Sequence, residues 1–197
     1  MTHELADLPA QDCCSSDNPG SVRQPDLQLL SLTADTDIGD LRMVEAYDRF
    51  VLDEQSAIPF TIRLLENPKS PIAFPGSVDL KGHDYLHLLL NRGITLWDEA
   101  FVVGFTMGNC DRLRPHHIYW YKVLSTALFP QKFRFNRSHF KAYDLGVMYG
   151  QKVPQKNLHR VNFEQYAHLC IGEVRRMFSI DLQEIQMLWN AERLLVN

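Results

Sequence analysis

The chain has 197 residues, 45% of them hydrophobic, with 24 acids against 20 Lys and Arg and a net charge of -4. That is enough apolar material for one sizeable core and too little chain for several domains, and no apolar run reaches the roughly 20 residues that span a bilayer. The four cysteines, at positions 13, 14, 110 and 170, have neither disulfide-framework density nor CxxC spacing and read as reduced, incidental thiols.

Residues 1–25 are rich in Asp, Ser, Pro and Cys without apolar periodicity, so a disordered leader is expected, followed by a single helical domain over residues 26–197. No basic segment precedes an apolar stretch and cleavage site, and there is no Arg-rich transit pattern, which points to a cytoplasmic protein. From Asp40, the spacing of Leu41, Val44, Tyr47 and Val51 predicts an amphipathic helix that ends before Pro59. Helix formers resume over 61–66, and Pro68, Pro71, Pro75 and Gly76 then enforce a loop. Ser77 is the expected cap of a helix running to about Asn91, with Gly93 as its left-handed stop.

Thr95 and Asp98 have capping-box spacing and open a helix through Met107. The short link at Arg92, Gly93 and Ile94 predicts an antiparallel hairpin. Gly104 and Gly108, four apart on its second helix, predict close helix packing. Further helices are expected over 115–129, 138–150, 163–178 and 182–195, with caps at Asn162 and Asp181. No strand-like alternation competes, so the expected fold is all-α, a compact irregular helical bundle.

Within the hairpin lies the most chemically specific segment of the chain, His83-Asp84-Tyr85-Leu86-His87, followed after eleven residues by Glu99. On a helix, at 100° per residue, His83, Asp84 and His87 fall within an arc of roughly 100°. Burying them beside Leu86, Leu88, Leu89 and Leu90 is unfavourable unless they are paired or hold a cation. The hairpin can return Glu99 toward the two histidines, and imidazole with carboxylate suits zinc and related divalent ions. The alternative is a buried hydrogen-bonded network without metal. The HDxxH segment also invites comparison with the HExxH metalloprotease motif, but Asp is shorter than Glu and reaches a metal more easily than a metal-bound water.

Charge is unevenly spread. Residues 1–54 hold twelve acids and three bases, whereas 109–160 hold ten bases and two acids. The stretch Lys132, Arg134, Arg137, His139 and Lys141, interleaved with Phe133, Phe135, Phe140 and Tyr143, suits an anionic membrane surface; a solvated basic face is the plain alternative. An acidic chain without a recognised module argues against nucleic acid. Tyr119, Trp120 and Tyr121 read as a packing surface. His116 and His117, adjacent and so about 100° apart on a helix, are a poor metal pair. Phe101, Val102, Phe105, Met107, Leu124 and Leu128 are candidates for an apolar groove, although core packing explains the same spacing.

The HDxxH-x(11)-E pattern resembles the signature of the Coq-four family of ubiquinone-biosynthesis proteins. Phe140-Lys-Ala-Tyr143-Asp-Leu-Gly146-Val-Met-Tyr-Gly150, Val161-Asn-Phe163-Glu and Glu173-Val-Arg175-Arg are similar to that family's carboxy-terminal half, and the resemblance covers roughly residues 40–180. It implies an all-helical fold and a divalent metal, zinc first, held by His83, Asp84, His87 and Glu99. It also implies a partly apolar site for a prenylated quinone precursor or other prenyl lipid. The implied activity is a metal-dependent lyase or oxidative decarboxylase that removes the carboxyl at ring carbon one of a prenylated hydroxybenzoate and replaces it with hydroxyl. A scaffold role among other quinone-biosynthesis proteins is implied as well. From the basic aromatic stretch, and not from the resemblance, comes the expectation of a peripheral position on the inner membrane face with contact through residues 131–143.

Overall fold

The computed structural model describes residues 32–33, 36–50, 68–70 and 73–196. The expected leader at 1–25, the run at 61–66, and Val51, Cys13 and Cys14 lie outside them. Among the described residues the fold is all-α. Its helices are α1 (Met43–Arg49), α2 (Leu80–Leu89), α3 (Leu96–Asn109), α4 (Pro115–Ala127), α5 (His139–Lys152), α6 (Ile171–Met177) and α7 (Leu182–Val196). Short 3-10 turns occupy Gln131–Phe133, Leu158–Arg160 and Phe163–Tyr166.

Helix α3 is the axis. Every residue from Ala100 to Asn109 is buried, as expected of a helix apolar all round. Its start is the predicted capping box: the Asp98 amide donates to Thr95 Oγ1 at 3.3 Å and the Thr95 amide to Asp98 Oδ2 at 3.1 Å. Helix α5 runs parallel to it in the most extensive helix pairing of the structure. Gly104 and Gly108 meet Gly146 and Gly150 across this seam. An added Cβ would lie under 3.0 Å from the carbonyl oxygen of Tyr143, Val147, Phe101 or Phe105 respectively. The backbones themselves are therefore in contact.

Helix α2 starts two residues later than predicted, because Asp79 and not Ser77 is the cap, accepting from the Gly82 amide at 2.8 Å. Its left-handed stop is Asn91, with φ of 50°, and not Gly93. Asn tolerates that region, and here the Asn91 amide group also donates to the carbonyls of Thr33 and Thr36. The last carbonyls of α2, at Leu88 and Leu89, accept from the buried Arg175 guanidinium at 3.0 and 2.9 Å.

Two sequence expectations fail for tertiary reasons. Helix α1 buries Met43 and Ala46 while Val44 is exposed, because the Met43 and Val44 amides donate to Leu169 and Ala167 and set the helix's rotation. That same docking interrupts the helix expected over 163–178. Residues 167–170 form an irregular link bridged to Arg42, and α6 restarts with the Cys170 amide donating to Glu173.

Candidate metal centre

The hairpin does what its short link predicts. Helix α3 folds back on α2, and Glu99 in the first turn of α3 meets His83 and His87 on α2. His83 Nε2 lies 3.0 Å from Glu99 Oε2, His87 Nε2 lies 3.4 Å from Glu99 Oε1, and the two Nε2 atoms are 2.9 Å apart. One donor atom from each residue fits within 4.8 Å of the others, a group that can hold a metal ion. The His87 side chain is only 2% exposed, that of His83 17% and that of Glu99 34%, so the group has a buried wall and a side open to solvent.

Asp84, read from the sequence as a ligand with these three, is not in this group. It is buried on the same helix, and its Oδ2 has no hydrogen-bond partner. Burial pushes its carboxyl up to about 6, with the Glu99 charge adding to the rise, while His83 and His87 pull the other way. Burial also works against the Glu99 carboxylate, but the charges of His87 and His83 and a hydrogen bond from each outweigh it. Its carboxyl is held well below the usual carboxylate range. Glu99 is thus a committed anion beside the imidazoles, whereas at Asp84 burial outweighs their pull.

His87 is oriented from behind. Its Nδ1 lies 3.3 Å from the Arg92 carbonyl oxygen, which can only accept, so Nδ1 carries a hydrogen and Nε2 is the ring nitrogen turned toward His83 and Glu99. Arg92 itself was not read as functional from the sequence. It is fully buried, with its guanidinium 3.7 Å from the centre of the Phe101 ring and 4.1 Å from that of Trp189. Its Nη1 donates to Glu192 of α7 at 2.8 Å. Nothing local in the sequence marks a pairing across 100 residues; the only hint was an arginine in a hairpin link otherwise bordered by apolar residues.

The other candidates separate. Phe101, Val102, Phe105 and Met107 are core residues, Leu124 is half-buried and Leu128 is exposed, so these six do not share one surface. A cleft of about 550 Å³ between the 37–40 turn and the α6–α7 link, lined in part by Asp37, Glu173, Arg175 and Asp181, includes none of the metal candidates. Phe135, Tyr143 and His139 of the basic stretch are buried, whereas Lys132, Arg134, Arg137 and Lys141 are exposed. Tyr121 packs inward as expected, but Tyr119 and Trp120 are exposed. Cys110 and Cys170 are buried, and no helix among the described residues is long and apolar enough to cross a membrane. Compared with protein-family models, with curated proteins and with solved structures, the chain has no match.

Proposed function

We propose that the α2–α3 hairpin binds a divalent cation, zinc first, through His83, His87 and Glu99, with Asp84 as the fourth ligand. We further propose that the protein is a metal-dependent enzyme of prenyl-quinone biosynthesis acting on a prenylated aromatic acid. The observation that carries the metal reading is the donor set: two imidazole nitrogens and a carboxylate from two helices within 4.8 Å of one another. The unpartnered Asp84 Oδ2, buried beside them, supports a set of four. The substrate class rests on the resemblance to the Coq-four family.

A bound divalent ion supplies Lewis acidity toward a carboxylate or phenolate oxygen. The chain's own residues supply the rest. The Arg92 carbonyl fixes the His87 ring so that Nε2 faces the site. Glu99, the most exposed of the three side chains, remains anionic and stands on the side from which a ring carboxylate would approach. His87, almost sealed from solvent, forms the wall behind.

A non-catalytic role draws on the same geometry, since a group that joins α2 to α3 also staples the hairpin, and a lipid-presenting scaffold needs only that. Elemental analysis of the purified protein, with His87→Ala and Glu99→Gln alongside, tests the metal. One ion per chain, lost in His87→Ala, is expected; full retention by His87→Ala removes the site. Chelation then separates the two roles. An enzyme keeps its fold and loses turnover of a prenylated hydroxybenzoate, whereas a staple unfolds with its metal.

A further inference from the structure

Helix α4 turns its apolar side to solvent. Of its thirteen residues only Tyr121 and Ser125 are buried. At 100° per residue, His116, Tyr119, Trp120, Val123 and Ala127 share an outward arc of roughly 100°, and none of them carries a fixed charge. Tyr119 is 63% exposed and Trp120 52%, with their rings 5.4 Å apart, and Leu128 is exposed at the helix end, to one side of this arc. The one Lys of the helix, Lys122, is directed to Asp144 of α5 at 2.6 Å.

The surroundings are mostly cationic, with Asp111 and the Lys122-paired Asp144 at their edges. Seven of the 20 Lys and Arg and none of the 24 Asp and Glu lie between Arg112 and Tyr143, in a chain whose remainder is strongly acidic. Arg112 and Arg114 stand exposed at the start of α4, and Lys132, Arg134 and Arg137 stand exposed beyond its end. An uncharged aromatic strip between two groups of cations matches the layering of an anionic bilayer surface: Trp and Tyr favour the headgroup boundary, and bases favour the phosphates outside it. A second copy of the chain fits worse. A two-fold contact on this strip would bring together surfaces in which bases outnumber acids, with Asp111 at one edge and Asp144 already paired to Lys122.

We propose that α4 docks on an anionic lipid surface, with Tyr119, Trp120 and Val123 at the headgroup boundary and Arg112, Arg114, Lys132, Arg134 and Arg137 over the headgroups. The sequence placed membrane contact in 131–143, whose Phe135 and Tyr143 belong to the core. The structure instead takes the aromatics from α4 and leaves that stretch to supply charge. This surface stands whether or not the hairpin holds a metal.

Co-sedimentation of the full chain with phosphatidylcholine vesicles, with and without phosphatidylglycerol, tests it. Binding is expected only with phosphatidylglycerol, and raised salt is expected to weaken it. Lys132→Ala and Arg137→Ala are each expected to weaken it about fivefold, the loss that attends one base near a charged surface. A Tyr119→Ala, Trp120→Ala pair, at exposed positions and so expected to leave the melting temperature unchanged, should reduce binding further. Absence of binding at low salt overturns the proposal, as does undiminished binding by the aromatic pair. Concentration-dependent dimerisation that Trp120→Glu abolishes, without vesicle binding, assigns the face to a second copy and overturns it too.

Discussion

Asp84 and Glu99 show how two carboxyls close to the same two imidazoles acquire opposite tendencies. Glu99 touches both rings and is driven to its charged form; Asp84 has an unpartnered buried oxygen and is pushed up to about 6. With the folded value raised above the ordinary 3.8, the metal-free fold holds a proton between about pH 4 and 6 that the unfolded chain has released. Asp84 therefore costs stability as pH rises through that window, by about 1.4 kcal/mol per unit and roughly 3 kcal/mol in all. Asp84→Asn is expected to flatten this loss in the chelated protein, read as the difference between urea midpoints at pH 4.5 and 7, while weakening metal binding. An unchanged pH slope would contradict the burial argument. His83 and His87 were legible in the sequence because polar types at helical spacing among leucines demand an explanation, and Glu99 because the short link folds it back on them. The unequal placing of Asp84 was not, since a helical arc fixes a direction around the axis and says nothing about how far Glu99 reaches from the other helix.

Helices α2 and α3 were foreseen as a hairpin from a short link and a capping box, both local signals, and both proved sound. The link's details escaped the sequence. Gly93 is the obvious left-handed residue, yet Asn91 takes that role because its amide is used by the 33–36 segment, a contact 55 and 58 residues away. The helix over 163–178 failed similarly, broken by backbone hydrogen bonds from α1 that no local pattern encodes. The small-residue spacing on α3 did announce close packing, although its match on α5 was left unremarked. Gly146→Ala would drive a methyl into the Phe101 carbonyl, part of a backbone that cannot rotate away. We expect it to destabilise by at least about 3 kcal/mol, at the top of what overpacking costs, or to prevent folding. Gly93→Ala, whose new Cβ would meet mainly the Asp98 side chain, should be far milder. Thermal melts of the two variants, run together, test the contrast.

Across the whole molecule, the last helix is joined to the hairpin by a buried ion pair beside the Trp189 ring. Arg92 and Glu192 are both nearly sealed from water, and the Asp98 carboxylate lies 3.9 Å from the same guanidinium. Burial disfavours the charge on each partner, lowering the Arg92 pKa and raising that of Glu192, and each partner's charge offsets the other's penalty. Removing one partner strands the other. Glu192→Gln is expected to lower stability by roughly 3–5 kcal/mol in urea unfolding. Because the Arg92 carbonyl orients His87, a loss of about tenfold or more in metal affinity should accompany it. Normal affinity in a destabilised variant would confine α7 to a structural part. Charge, too, is sorted on this scale: the acid-free span from Arg112 to Tyr143 lies on α4, α5 and their link, away from the His83 and His87 helix in sequence. The glycine seam has one further consequence. With α3 and α5 locked backbone to backbone, α3 behaves as a fixed rail, and Glu99 on its first turn moves only as far as its own side chain swings. Opening of the site to admit a ligand, or an ion to leave, is then a displacement of α2, which carries two imidazoles past a stationary carboxylate.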